Sequence, residues 1–270
     1  MPYFLTFKEI SKEQLSPILV GGKASALARL YKEDFPVPDG FVITTEFFDN
    51  SSRGNLSLKF SDRDRMTIYR CIDACSPNKS VAVRSSASVE DSNSQSFAGQ
   101  FDSFLNIKKE HALESVKKCW QSLHSARSQS YAKDENDGKK MAVIVQNMVI
   151  PEVSGVAFSA HPVTGNKDSM VIEVVSGSNE LLVQGAVTPD YYIVSKSLKI
   201  LDKKIVSQNG ISKQKLSDQQ LLNIAQLVNE VSRLFNAEVD IEWAIENGKL
   251  YILQSRPITA IQYSNVKKIF

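Results

Sequence analysis

Four polar residues near the end of the chain have the chemistry of a site for Mg²⁺ and nucleotide phosphates. Asp240 and Glu242 lie in one β-branched and aromatic run, and Gln254 and Arg256 lie in the next. Carboxylate and amide oxygens suit a hard cation, and a guanidinium matches phosphate oxygens. Because side chains alternate along a strand, each pair shares one face of its own strand. The segment therefore predicts a site on a β-hairpin, provided that both pairs face the same side.

The turn between the two strands decides whether the pairs meet. A two-residue turn at 247–248 would send Gln254 to the face away from Asp240, because a change of one residue in register turns a strand over. A three-residue loop at 246–248, with Gly248 in the left-handed conformation, would place Asp240 opposite Gln254. We predict the three-residue loop, and a tight turn would argue against a shared site. The alternative is an amphipathic surface hairpin with solvated charges.

Composition and charge indicate an ordinary soluble globular protein. Of the 270 residues, 42% are hydrophobic and 23% are charged, and the length suffices for a substantial core. The formal net charge of +2 gives no reason to expect nucleic acid as a partner. No apolar stretch is long enough to span a bilayer, and the first residues lack a signal-peptide pattern. We therefore expect a cytoplasmic protein with neither a membrane nor a nucleic-acid partner.

The hydrophobic pattern predicts an α+β fold, from apolar residues at helical spacing and from β-branched runs bounded by Gly, Pro or Asn. Helices are predicted over 23–30, in the segment after residue 62, over 110–133 and from a capping box at Ser217 to residue 235. Strands are predicted over 41–44, 81–84, 142–146, 155–158, 170–175 and 191–194, and in the hairpin. With no internal repeat and no low-complexity linker, we expect residues 1–270 to form one unit with two lobes, approximately 1–140 and 141–262.

A glycine turn, Gly21-Gly22-Lys23, brings a cation to the start of the first predicted helix. A Walker A loop requires a glycine where this chain has Pro17, so the tripeptide is not a P-loop. Backbone N–H groups and the macrodipole at a helix start nevertheless favour anions. The tripeptide is therefore either a phosphate-binding turn or a surface lysine that follows a turn.

Arg84, at the end of the predicted strand over 81–84, is a second candidate for phosphate binding. A strand-end guanidinium beside serine hydroxyls suits phosphate oxygens, although a pair with Glu90 or Asp91 is the alternative. The segment 96–106 then embeds Gly99 among small residues between apolar anchors. This pattern is typical of a mobile lid whose backbone N–H groups bind phosphates.

The order of these motifs resembles one protein family, the N-terminal nucleotide-binding domain shared by phosphoenolpyruvate synthase, pyruvate phosphate dikinase and rifampicin phosphotransferase. The resemblance covers roughly residues 18 to 260. The motifs that carry it are Gly21-Gly22-Lys23, Pro38-Asp39-Gly40-Phe41, Val83-Arg84-Ser85-Ser86-Ala87, Glu90-Asp91, Ser96-Phe97-Ala98-Gly99-Gln100, Gln146-Asn147-Met148-Val149, Ser154-Gly155-Val156-Ala157-Phe158, Thr188-Pro189-Asp190, Asp240-x-Glu242-Trp243 and Gln254-x-Arg256-Pro257. So many ordered matches make chance an implausible explanation.

The resemblance implies an ATP-grasp fold, with ATP clamped between two lobes and Mg²⁺ bound beside it. Outside the hairpin, the residues implied to contact ATP are Lys23 and Arg84 at the phosphates, Gly99 in the lid backbone, Ser103 where the family more often has Thr, and Gln146, Met148 and Val149 in the adenine hinge. In the hairpin, Glu242 and Gln254 are the implied Mg²⁺ ligands, and Asp240 and Arg256 are implied at the ribose or phosphate end. The implied catalytic cations are Lys23, Arg84 and Arg256, arranged around charge that moves during phosphoryl transfer.

The chain also departs from the family. Its segment 177–180 reads Gly-Ser-Asn-Glu where the family usually has Gly-Leu-Gly-Glu, so the role of Glu180 is open. His161 stands where relatives usually carry an acid or Asn, and it either contacts substrate or is structural. The multidomain relatives continue into a domain whose histidine accepts a phosphoryl group, and then into an acceptor-binding domain. We expect neither domain here, because the chain ends soon after Pro257 and none of its 3 histidines has the expected context.

The sequence therefore predicts an ATP- and Mg²⁺-dependent phosphotransferase module of the dikinase type. It would transfer the terminal phosphates of ATP to a histidine on a separate protein and eventually yield AMP. The first alternative is a self-contained ATP-grasp kinase or ligase that phosphorylates a small molecule and releases ADP. A nucleotide-sensing regulatory module, and an excised domain of a longer protein, are the other two.

Overall fold

The computed structural model describes residues 3–13, 16–52, 60–87, 103–122, 140–183, 185–206 and 214–258. The chain divides into two compact units, Met1–Met148 and Val149–Phe270. This boundary lies later than the approximate boundary at residue 140, so the predicted strand over 142–146 belongs to the first unit. Within the described ranges, no helix has the length and apolar character needed to cross a membrane.

Unit 1 contains a five-stranded antiparallel sheet with strand order β1-β2-β5-β3-β4. Its strands are β1 Phe4–Thr6, β2 Gly40–Ile43, β3 Ser80–Ala87, β4 Ser103–Lys108 and β5 Met141–Asn147. Its helices are α1 Phe7–Glu13, α2 Pro17–Val20, α3 Gly22–Lys32, α4 Thr45–Ser52, α5 Asp62–Cys75 and α6 Ala112–Ser122. A short 3₁₀ turn, Lys109–His111, precedes α6, and the rest of the helix predicted to residue 133 lies outside the described residues.

The core of unit 1 lies on one face of this sheet. Val81 and Val83 point into a buried apolar cluster that includes residues of α4, α5 and α6. Trp120 is fully buried in this cluster, and its indole N–H donates to the carbonyl oxygen of Met141 at 3.0 Å. Because side chains alternate along β3, Arg84 lies on the opposite face, on the strand against which α3 packs.

Unit 2 contains a six-stranded antiparallel sheet with strand order β11-β10-β6-β7-β8-β9. Its strands are β6 Val153–Phe158, β7 Ser169–Ser176, β8 Asp190–Ser195, β9 Ile200–Lys204, β10 Val239–Glu246 and β11 Lys249–Pro257. Its helices are α7 Glu180–Val183 and α8 Asp218–Phe235. The predicted capping box of α8 is confirmed, with Ser217 and Gln220 bonded reciprocally.

The two faces of the unit 2 sheet differ in exposure. Ile241, Trp243 and Tyr192 are fully buried and share one face, and the apolar side of α8 packs on this sheet. On the other face, Glu242 and Glu246 of β10 are half-buried, whereas Asp240 and Ala244 are buried. Alternation therefore gives the sheet one apolar face for packing and places the carboxylates of β10 on the other face.

Candidate functional site

The hairpin that joins β10 to β11 has a two-residue turn. Glu246 pairs with Lys249, and both residues between them, Asn247 at φ 50° and Gly248 at φ 74°, have positive φ. The predicted three-residue loop is therefore wrong. Asn-Gly is the residue pair that best tolerates left-handed conformation at both central positions, and the resulting turn matches the right-handed twist of the strands.

A β-bulge farther along the hairpin nevertheless brings the two polar pairs onto one face. Trp243 pairs with Ile252, whereas the next pair is Glu242 with Gln254, so Leu253 is an extra residue in β11. One extra residue reverses the alternation of the strand beyond it. The expectation that a tight turn would separate the pairs is therefore also wrong, because the bulge corrects the register that the turn sets.

Asp240 pairs with Arg256 two residue pairs farther along this ladder. The Arg256 Nε and Nη2 atoms donate to Asp240 Oδ2 at 2.8 and 2.6 Å. Burial is the main cause that raises the pKa of Asp240 above its ordinary value, and the neighbouring Glu242 raises it further, while Arg256 lowers it. The pair thus keeps a charge-assisted contact at a position that is only 9% exposed.

A third carboxylate lies on the same face of the sheet. Glu242 is opposite Val156 on β6, which is opposite Glu173 on β7. Burial, and then the charge of Asp240, raise the pKa of the Glu173 carboxyl. Glu173 was missed in the sequence, although its single charge within the apolar run of β7 was a signal. We call the face that carries Asp240, Glu242 and Glu173 the carboxylate face.

On the face of the sheet opposite the carboxylate face, Gly155 on β6 is closely packed against Trp243 on β10. Gly155 pairs with Trp243 across β6 and β10. A Cβ atom added at Gly155 would lie 1.8 Å from the carbonyl oxygen of Glu173 and 2.9 Å from the Trp243 ring. The indole therefore fills the space that glycine leaves, and this contact fixes β10 behind the carboxylate face.

In unit 1 the structure brings two of the predicted phosphate-binding motifs together. Lys23 is the second residue of α3, whose first turn contains no acidic residue. The N–H of Ala24 donates to Ser86 Oγ at 3.1 Å, and Ser86 lies on β3 two residues beyond Arg84. The glycine turn and the arginine strand are thus in direct contact.

Ser103 lies beside Arg84, because the two residues pair across β3 and β4. Directly opposed residues of an antiparallel pair point to the same side of the sheet. The implied phosphate residues Lys23 and Arg84, and Ser103, therefore belong to adjoining elements of unit 1. Gly99, the implied lid residue, lies outside the described residues.

The residues implied in the adenine hinge lie at and just beyond the end of β5. Gln146 is buried, and its side-chain Nε2 donates to the carbonyl oxygen of Pro38 at 2.9 Å. The backbone N–H of Met148 donates to the carbonyl oxygen of Ser80 at 3.0 Å. Val149, the first residue of unit 2, is buried. These hydrogen bonds connect the segment to Pro38 and Ser80.

The two positions that depart from the family have local partners. His161 Nδ1 accepts from the N–H groups of Val163 and Thr164, both at 3.3 Å, and its Nε2 lies 3.2 Å from the hydroxyl of Tyr191. An Nδ1 that accepts places the proton of a neutral ring on Nε2. Glu180 begins α7, and its Oε2 accepts from the hydroxyl of Ser178 at 3.5 Å.

The hairpin offers Glu242 and Gln254 as opposed oxygen donors on the carboxylate face. Across the parts of the chain that the structure describes, no group of three or more His, Cys, Asp or Glu side chains could hold a metal ion. Mg²⁺ fits a smaller donor set, since it keeps several waters and is usually held by one or two carboxylates together with substrate phosphates. The pair therefore suits Mg²⁺ that arrives with a nucleotide.

Comparison with known proteins gives one family match. Residues 56–270 match the family model described as pyruvate phosphate dikinase, AMP/ATP-binding domain. An uncharacterized phosphotransferase of Bacillus subtilis is 35% identical, over 96% of this chain and 35% of its own length. Rifampicin phosphotransferase of Bacillus cereus is 32% identical over 96% and 36%, and phosphoenolpyruvate synthase of Aeropyrum pernix is 34% identical over 94% and 42%. The chain thus spans 35% to 42% of these relatives.

Among solved structures, the chain is similar to D-alanine–D-alanine ligase from Helicobacter pylori. The sequence identity is 14% and the TM-score is 0.40, over 88% of this chain and 57% of the ligase chain.

Proposed function

Since this chain belongs to the family of the pyruvate phosphate dikinase AMP/ATP-binding domain, we propose that it is an ATP- and Mg²⁺-dependent phosphotransferase module. The helices and the two antiparallel sheets confirm the expected α+β fold class. The observation that carries the proposal is the hairpin, where a bulge places Glu242 opposite Gln254 and Asp240 opposite Arg256. The extra residue Leu253 in β11 keeps these side chains on one face.

In this proposal Glu242 and Gln254 hold Mg²⁺ through their side-chain oxygens. The bound ion would neutralise charge on the terminal phosphates of ATP. The neighbouring pair of Asp240 and Arg256 has a different part, because Asp240 holds the guanidinium in a fixed orientation on the same face. A donor that is already oriented needs no reorganisation when charge develops.

Lys23 and Arg84 are the proposed phosphate cations of unit 1. Lys23 stands in the first turn of α3, where backbone N–H groups and the macrodipole add to its charge. Arg84 offers a planar fork of donors from the adjoining strand. We expect Arg84→Ala to reduce phosphoryl transfer on the order of 10²-fold, because electrostatic stabilisation of a transition state is typically lost on that scale. Lys118→Ala, on the exposed side of α6, is the control cation.

We propose further that the acceptor is a histidine on another protein or domain, and that AMP is the final product. One of the relatives is named a phosphoenolpyruvate synthase, and the match to a dikinase domain supports transfer of more than one phosphate. His161 is a poor acceptor in this arrangement, since both ring nitrogens already have partners. A histidine on another protein fits the proposal better.

The experiment is ³¹P NMR of Mg·ATP with the protein alone, with a small-molecule extract and with a protein fraction from the same cells. We expect AMP to form only with the protein fraction, with an acid-labile phosphoprotein as the intermediate. ADP formed with the small-molecule extract would contradict the histidine acceptor. ATP left intact in every mixture would contradict the phosphotransferase itself, and Glu242→Ala shows whether any turnover uses the proposed site.

A further inference from the structure

The helix that carries Lys23 begins without a cap of its own. The N-cap residue of α3 is Gly21, which has no side chain to bond the first N–H groups. A capping side chain is also impossible there, because an added Cβ would lie 2.1 Å from the carbonyl oxygen of Ser86. Gly21 has φ 80°, which L residues rarely adopt. The usual capping residues are therefore excluded at this position.

Ser86 supplies the missing cap from strand β3. Its hydroxyl accepts from the N–H of Ala24 at 3.1 Å, and it donates to the carbonyl oxygen of Val20 at 2.9 Å. Ala24 is the third residue of α3, the position that an N-cap side chain normally bonds. Val20 is the last residue of α2. One fully buried hydroxyl thus joins the end of α2 to the start of α3 across the glycine turn.

The same strand carries Arg84 two residues earlier. Residues two apart in a strand point to the same face and lie about 7 Å apart. Arg84 and Ser86 therefore share the face of β3 toward which the glycine turn lies. The contact between Ser86 and the turn fixes Lys23 relative to the strand that presents Arg84.

We propose that Ser86 is a positioning residue for nucleotide binding. It caps α3 from β3 and so holds the Lys23 turn in register with Arg84, which lets both cations bind one polyphosphate. The inference rests on the proposed function, because it assigns Ser86 to the same phosphate site. A capping serine that only stabilised the fold would affect unfolding without any special dependence on Lys23.

The neighbouring residue provides a matched control. Ser85 is also fully buried on β3, but alternation turns its side chain to the other face. Within the described residues, its hydroxyl has no hydrogen-bond partner. Ser85→Ala therefore removes the same atom from the same strand without touching the glycine turn.

The test is a double-mutant cycle on the dissociation constant of Mg·ATP, measured by calorimetry for wild type, Ser86→Ala, Lys23→Ala and the double variant. We expect Ser86→Ala to weaken binding roughly tenfold, since two hydrogen bonds that fix the site are lost. In the Lys23→Ala background the same substitution should change binding less than about twofold, because coupled residues are not additive. Ser85→Ala should leave binding within about twofold of wild type.

Unchanged binding in Ser86→Ala, or an equal loss in both backgrounds, would overturn the inference. Urea unfolding without nucleotide checks that each variant is folded. If Ser86→Ala does not fold, Ser86→Cys keeps the shape of the side chain, weakens both hydrogen bonds and should give the same ordering. Wild-type protein that fails to bind Mg·ATP would instead refute the proposed function, so the two failures are distinguishable.

Discussion

Replacement of Arg256 by methionine should destabilise unit 2 by about 2–3 kcal/mol at about pH 8. The substitution removes two hydrogen bonds, of 2.8 and 2.6 Å, and leaves Asp240 buried without its counter-charge. Breaking one side of a buried ion pair costs about 3–5 kcal/mol. We expect less than this range because the Arg256 side chain is 31% exposed, so water partly compensates for the lost charge.

The loss should depend on pH. Burial already raises the pKa of Asp240, and the guanidinium that opposes this effect is absent in the variant. A carboxyl group whose pKa is higher in the folded state than in the unfolded state destabilises the fold as pH rises, because the folded state then binds more protons. The stability that Arg256→Met loses should therefore be smallest near the ordinary pKa of an aspartate. The loss should grow as the pH rises to the raised pKa of Asp240, and above that pKa it should be constant.

The assay is urea unfolding at about pH 5 and about pH 8, followed by tryptophan fluorescence. The chain has 2 tryptophans, one in each unit. A Trp120→Phe background leaves Trp243 to report on unit 2. Asp240→Asn in combination with Arg256→Met is the control, since it removes both charges and should abolish the pH dependence. An equal loss at both pH values, or no loss at about pH 8, would refute this account of the hairpin.

Three other predictions concern separate parts of the protein. Gly155→Ala should cost more than about 4 kcal/mol and prevent unit 2 from folding, as judged by circular dichroism, because the new Cβ would overlap the Glu173 carbonyl oxygen. Asp190→Ala should destabilise unit 2 by about 3–5 kcal/mol in urea unfolding, because it leaves Lys215 without its counter-charge. In the wild type, the Lys215 Nζ atom lies 2.6 Å from the Asp190 Oδ1 atom. Burial raises the pKa of Cys75 to about 12 from 9.0, so iodoacetamide at about pH 8 should modify it about 10³-fold more slowly than an unperturbed thiol.

Each of these predictions has its own control. Gly177→Ala adds a Cβ with no neighbour within 4 Å, so it should cost only the backbone strain of φ 72°, about 1–2 kcal/mol, and still yield folded protein. A soluble, native Gly155→Ala would show that β6 can shift. Replacing Asp190 and Lys215 together by apolar residues should recover part of the stability, whereas an additive loss would contradict the ion-pair explanation. The modification of Cys75 should accelerate about tenfold for each pH unit up to about 12, and a plateau near 9 would contradict the raised pKa.

The raised pKa of Cys75 also has a consequence for stability. Between about 9 and about 12, the thiol ionises in the unfolded chain but remains protonated in the folded one. The folded state then binds more protons, so this group lowers stability as pH rises through that range.

Residue types and alternation predicted which side chains of a strand share a face, but they did not predict the contacts between strands. Alternation along β10 correctly places Asp240 and Glu242 on one face. The turn prediction failed because it treated register as the result of loop length alone, whereas the bulge at Leu253 changes the register without a Gly or Pro to mark it. The bulge lies in the edge strand β11 and depends on how that strand pairs with β10, which local sequence does not encode.

The residues missed in the sequence share one property, which is that their partners are distant along the chain. Glu173 reaches the carboxylate face only through the pairing of β7 with β6 and of β6 with β10. Ser86 caps α3 through Ala24, which lies 62 residues before it in the sequence. The edge strands β1 and β9 were also missed, because β1 is short and most of β9 is polar. Local patterns predict elements, but tertiary contacts decide which side chains meet.

The most direct test of the central claim is calorimetric titration of ATP, with and without Mg²⁺, into wild type and Glu242→Ala. We predict that Mg²⁺ strengthens ATP binding to wild type and that this enhancement is lost in Glu242→Ala, while binding of metal-free ATP is retained. Glu230→Ala on α8 is the control and should behave as wild type. An unchanged Mg²⁺ dependence in Glu242→Ala would contradict the hairpin as the metal site.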